Sequence, residues 1–156
     1  MTRASAVVVA LVALVAIDVA VACECVGRGV SGADALPAYE AVFLGYATNI
    51  KLITTDEAVR ENEFRYDGEA LVTFRVRRAW KGVNAIAVTV QVPTQGTACG
   101  NIFRVGQYYL VYAHLRGGSH ALETDSCTPT KELGQAAKEI VSLGPPSFQA
   151  EEKGAP

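Results

Sequence analysis

The chain has 156 residues, with 14 Lys and Arg against 16 Asp and Glu and a formal net charge of −2. That balance gives no support for nucleic acid or an anionic membrane surface as a partner. The length suits a leader followed by one domain, large enough to fold alone and small enough to gain from covalent staples.

Residues 1–22 read as a signal peptide, with Arg3 before an apolar run from Ala6 to Ile17 and Ala20, Val21 and Ala22 as a small-residue cleavage site. Asp18, at the end of the run, is out of pattern. The run is too short to span a bilayer comfortably, so no membrane span is expected. Export to the extracellular space or a periplasm follows, with Cys23 as the first mature residue. Ala20-Val21-Ala22-Cys23 also loosely fits a lipoprotein signal, which would anchor the chain through Cys23. Lipidation would leave one cysteine unpaired, so the even cysteine count favours ordinary cleavage.

All four cysteines, Cys23, Cys25, Cys99 and Cys127, fall in the mature chain. An even count in an exported protein points to two disulfides. A Cys23–Cys25 bridge would strain the small ring it closes, so each of these two is expected to reach either Cys99 or Cys127. Both assignments stay open on these grounds. Either closes long loops, worth roughly 4 kcal/mol each in the chain-entropy account.

From Val26 to Asp34 the chain is rich in Gly and small residues and reads as a loop, followed by a helical turn over Ala33 to Glu40. Ala41 to Ile53 is dense in β-prone residues and reads as a long, bent strand. Residues 54–68 are polar, without periodicity, and read as a surface hairpin connection. Val72, Phe74 and Val76 alternate with Thr73, Arg75 and Arg77, leading to Trp80 and a turn at Lys81-Gly82. Ile86, Val88, Val90 and Val92 alternate in the same way until Pro93.

Thr94 to Gly100 is a small-residue loop, Tyr108 to His114 a further strand, and Ala121 to Thr124 a short one. Thr128 or Thr130 can cap a helix with apolar positions Leu133, Ala136, Ala137 and Ile140, ended by Gly144 and two prolines. The tail, residues 145–156, reads as disordered. The run of elements suggests a mostly β fold: a Greek-key barrel, with the five-stranded OB type a natural candidate, and a C-terminal helix.

A C-x-C at the mature N-terminus is followed by Phe43-Leu44-Gly45, Trp80-Lys81-Gly82, Cys99-Gly100, Tyr109-Leu110-Val111 and Thr124-Asp125-Ser126-Cys127. In this combination and order the chain resembles the netrin-like module, and most closely the N-terminal domain of the tissue inhibitors of metalloproteinases and their bacterial-type relatives. The resemblance covers residues 23–144. It implies an OB-type barrel and the pairings Cys23 with Cys99 and Cys25 with Cys127. The family's third disulfide and separate C-terminal domain have no counterpart here.

The resemblance also implies a function. In the family the first mature residue, here Cys23, chelates the catalytic zinc of a metalloprotease in trans through its free amine and carbonyl oxygen. The protease-contacting ridge maps to Glu24, Cys25 and Val26 and to Thr97, Ala98 and Cys99. Glu24 occupies the position whose side chain enters the protease's specificity pocket, where the family carries small or hydroxylated residues. An unpaired carboxylate there costs several kcal/mol, so weak or no inhibition of ordinary matrix-type metalloproteases is expected. A target with a basic or wet pocket reverses that expectation.

The alternative is a non-inhibitory binding or structural module of the extracellular space or cell envelope with the same fold. An enzyme is not expected, since no paired carboxylates, nucleophile with base, or phosphate loop is recognisable. No cofactor is expected either, and no metal bound by the protein alone. The cysteines with His114 and His120 have poor zinc-ligand spacing, and both histidines read as strand-end surface residues. Trp80, Tyr108, Tyr109 and Tyr112 read mainly as core, and Arg75, Arg77, Arg78 and Lys81 as a solvated strand face. A monomer is expected.

Overall fold

The computed structural model describes residues 25, 30–53, 69–93, 103–118 and 120–151. The signal-peptide reading, the 54–68 connection and the 94–100 loop lie outside these residues.

The longer strands form where apolar and β-branched residues are dense or recur at the strand period. The strands are β1 (Ala41–Ile53), β2 (Glu69–Lys81), β3 (Ala87–Pro93), β4 (Tyr108–Leu115) and the two-residue β5 (Leu122–Glu123), β6 (Lys131–Glu132) and β7 (Phe148–Gln149). A 3-10 helix spans Gly32–Ala38, a 3-10 turn Leu133–Gln135, and the helix α1 covers Ala137–Leu143.

The sheet closes on itself. Antiparallel β1 and β2 run from Val42↔Lys81 to Ile53↔Glu69, with three register shifts that bend the pair. The β2–β3 hairpin runs from Glu69↔Pro93 to Arg75↔Ala87. Then β3 pairs in parallel with β5 (Val90↔Leu122), β5 pairs with β4 (His114↔Glu123), and β4 returns to β1 from Ala41↔Ala113 to Tyr46↔Tyr108. The result is a ring of hydrogen-bonded strands in the order β1-β2-β3-β5-β4, which leaves few open edges.

This closure explains why the first half of β1 is apolar without a break. Ala41, Phe43 and Ala47 face a core inside the ring with Val72, Phe74, Val76, Val90 and Val111. Val42 and Leu44, on the opposite face, pack with Tyr39, Trp80, Leu110, Tyr112, Ala136 and Leu143 in a second core under the helices. Beyond Tyr46, β1 leaves β4 and continues with β2 alone, and Leu52 and Ile53 are exposed.

Close approach of backbone or core explains the glycines at Gly82 and Gly45. At Gly82 φ is +69°, and a Cβ would fall 1.9 Å from the Glu40 carbonyl oxygen. At Gly45 a Cβ would lie 2.9 Å from Phe74 Cβ and 3.0 Å from the Phe43 ring.

Two expectations are corrected. Neither Thr128 nor Thr130 caps a helix: Lys131 and Glu132 pair with Leu110 and Tyr109 on β4, and α1 starts at Ala137 after a cap at Ala136 that makes no side-chain bond. The threonine hydroxyls find partners across the chain instead, as set out below. The tail is not disordered through residues 145–151, because Phe148 and Gln149 pair with Ala79 and Arg78 on the edge of β2 that β3 has left. Phe148 packs on the inner core and Ser147 Oγ donates to the Ala79 carbonyl at 3.1 Å. Residues 152–156 lie outside the described residues.

Candidate functional site

Most of the candidate inhibitory residues, Cys23, Glu24, Val26, Thr97, Ala98 and Cys99, lie outside the described residues. Cys25 is described. It is joined to Cys127 by a disulfide with Cα atoms 5.2 Å apart and a sequence separation of 102. The pairing of Cys23 with Cys99 falls on residues outside those described.

The anchor for Cys25 is a turn that follows β5, braced in two ways. Asp125 Oδ1 accepts backbone N–H bonds from Cys127 at 2.9 Å and Thr128 at 3.1 Å. Asp forms such turns because its short carboxylate reaches the backbone just ahead of it. The second brace is a cluster of hydroxyls: Thr124 Oγ1 lies 2.8 Å from Thr128 Oγ1 and 3.0 Å from Thr130 Oγ1. Thr130 Oγ1 accepts the Tyr112 backbone N–H at 2.9 Å and donates back to the Tyr112 carbonyl at 3.2 Å. Thr128 Oγ1 donates to the Asp125 carbonyl at 2.9 Å.

Thr124 is fully buried and Thr128 nearly so, which makes each hydroxyl bond costly to lose. Thr124→Val keeps the shape and removes the central hydroxyl, leaving Thr128 and Thr130 one partner short. The expected cost is about 1–3 kcal/mol, read as a lower urea midpoint with an unchanged slope.

The second core carries the turn's other support. Tyr112 Oη accepts the Gly32 N–H at 2.9 Å, tying the 3-10 helix to β4. Burial raises the Tyr112 pKa above the ordinary phenol value, against the lowering effect of the Gly32 bond; nearby Glu139 and Tyr39 add to the rise. Trp80 Nε1 donates to the Gly144 carbonyl at 2.8 Å, fixing the end of α1. Lys131 Nζ bonds Glu139 Oε1 at 2.5 Å and, with the residue's own backbone N–H, holds that carboxyl below its usual pKa. A lowered carboxyl pKa stabilises the fold above the ordinary carboxylate range, and that contribution is lost as pH falls through the folded-state value.

The aromatic residues read as core are core: Trp80, Tyr109 and Tyr112 are buried, while Tyr108 is half-buried against Tyr46 at a centroid distance of 4.9 Å. The basic residues of β2 are largely engaged. Arg75 lies over the Tyr46 ring, Arg78 over Trp80, and Lys81 Nζ donates to the Leu36 carbonyl at 2.7 Å. Arg77 and Arg78 border a cleft of about 800 Å³ whose other walls include Leu44, Tyr108, Leu133 and Gln149.

Sequence reasoning missed the role of Thr124 and Asp125. The available signal was Asp125 two residues before Cys127, the spacing of an Asp-initiated turn. No protein-family model and no curated protein matches the chain. No helix among the described residues is long and apolar enough to cross a membrane.

Proposed function

We propose that the chain is an exported inhibitor of a zinc metalloprotease, a netrin-like module with an OB-type barrel that acts through the free amine and carbonyl oxygen of Cys23. The observation that carries this reading is the Cys25–Cys127 disulfide. It ties the segment after Cys23 to a braced turn, with Glu24 as the single residue between the two cysteines. The ring order β1-β2-β3-β5-β4, with β3 and β5 parallel, supports the OB-type reading.

The chemistry follows from the target. A catalytic zinc keeps an open position that holds water, and a bidentate N,O ligand can displace that water. The amine coordinates as the neutral base; with a reference pKa of about 8 it releases its proton readily to a metal. A pre-anchored chelator loses little conformational freedom on binding. In this reading Cys23 pairs with Cys99, bringing Thr97, Ala98 and Cys99 beside Glu24, Cys25 and Val26 as one contact ridge, and the inhibitor acts as a monomer.

Glu24 supports a second reading, a non-inhibitory module of the same fold, because its carboxylate suits few apolar specificity pockets. One titration separates the two. The protein beginning at Cys23 is assayed against a panel of zinc metalloproteases beside a Glu24→Thr variant. Inhibition of at least one enzyme is expected, with Glu24→Thr stronger against apolar-pocket enzymes by on the order of a hundredfold, since several kcal/mol of burial penalty is relieved at 1.4 kcal/mol per tenfold. No inhibition by either protein, with the disulfides intact, selects the second reading.

A further inference from the structure

The sequence reading expects no metal bound by this protein alone, yet the closure of the sheet gathers one imidazole and two carboxylates at its seam. His114 on β4 and Glu123 on β5 are register partners, and Asp125 follows two residues later in the turn that carries Cys127. One ligating atom from each of the three lies within 4.8 Å of the others, and all three side chains are half-buried. We propose that His114, Glu123 and Asp125 bind a divalent transition-metal ion of the zinc class.

The donor set favours that class. Imidazole with carboxylates suits Zn²⁺ and its first-row neighbours, whereas Ca²⁺ takes six to eight oxygens. The ligands are also held in place. Cross-strand pairing fixes His114 against Glu123, and the two N–H bonds from Cys127 and Thr128 to Oδ1 orient the Asp125 carboxylate. Such outer contacts normally accompany a metal-binding carboxylate.

Charged side chains surround the seam. Arg116 Nε lies 3.6 Å from Glu123 Oε2, and the same guanidinium pairs with Glu69. Gln91 Nε2 donates to Glu69. Glu69, Glu123 and Asp125 thus place three carboxylates along the seam. A bound ion would join β4, β5 and the Cys127 turn, and its binding would raise stability by mass action.

The test is independent of protease inhibition. Tag-free, disulfide-intact protein is dialysed against Zn²⁺, and bound metal is counted by elemental analysis while the thermal midpoint is followed. The expected result is one Zn²⁺ per chain and a midpoint that rises with Zn²⁺ concentration. Asp125→Asn keeps the Oδ1 acceptor of the turn and His114→Gln keeps a polar side chain of similar size, so both preserve the fold. Each is expected to weaken Zn²⁺ binding by roughly tenfold or more, a change of the size that altered metal environments produce. His120→Ala is expected to bind as the parent does. Absence of stoichiometric Zn²⁺, uptake that survives in both ligand variants, or uptake lost in His120→Ala would overturn the assignment.

Discussion

Replacing Cys25 and Cys127 together by Ser is expected to cost about 4 kcal/mol of folding stability. The bridge spans a sequence separation of 102, and closing a loop of that size removes on the order of 4–5 kcal/mol of chain entropy from the unfolded state, with 2–5 kcal/mol the usual measured range. A domain has only about 5–15 kcal/mol in total, so the variant should be marginal. With a urea slope of about 1–3 kcal/mol per molar, the midpoint falls by roughly 2 M. The slope itself should rise, because the uncrosslinked unfolded chain exposes more surface. Urea unfolding followed by tryptophan fluorescence measures both quantities through Trp80, buried in the second core. A midpoint unchanged within about 0.3 M would mean that the braced turn holds without the bridge.

The second large effect lies inside the ring. Phe74 is fully buried, with Phe43 at 5.5 Å, Phe103 at 5.4 Å and Tyr109 at 6.4 Å between ring centroids, all edge-on. Edge-to-face packing adds to the burial term, and a close-packed interior leaves little room for collapse into a void. Phe74→Ala should therefore cost about 3–5 kcal/mol. Phe74→Leu, which fills most of the volume, should cost markedly less. Chemical denaturation of the two variants side by side checks the ordering, and equal losses would contradict a cavity as the cause.

Phe74 also shows how much of the fold is readable from sequence. Phe74 announces itself through alternation with Thr73 and Arg75, and β3 is legible on the same basis because burial on a half-buried strand repeats every second residue, whereas β1 and β4, buried on both faces over much of their length, are legible from their density of β-prone residues. The strand β5 lies inside the short segment read as a strand over Ala121 to Thr124, whereas the two-residue strands β6 and β7 carry no such signal. Their existence depends on which edge the closed sheet leaves available: β7 forms only because β2 extends past the end of β3. Thr128 and Thr130 look locally like helix caps, since a hydroxyl ahead of an apolar helical pattern satisfies the local rule. Tertiary contact with Tyr112 and Thr124 overrides it.

The candidate site divides along the same line. That Cys25 and Cys127 are joined accords with the even cysteine count, whereas spacing alone leaves the partners open; the resemblance implied Cys25 with Cys127, the bridge that the structure contains. His114, Glu123 and Asp125 form no sequence motif. They meet only because the β4–β5 register sets His114 opposite Glu123, a long-range pairing that local pattern does not encode.

The measurement that bears most directly on the proposed mechanism adds one alanine before Cys23. The extension buries the α-amine in a peptide bond and leaves the Cys25–Cys127 disulfide and the closed sheet untouched. Against any metalloprotease that the protein beginning at Cys23 inhibits, the extended form is predicted to lose inhibition by on the order of a thousandfold, about 4 kcal/mol, because an amide nitrogen cannot take the amine's place on zinc. Equal inhibition by the extended and unextended proteins would contradict chelation through Cys23.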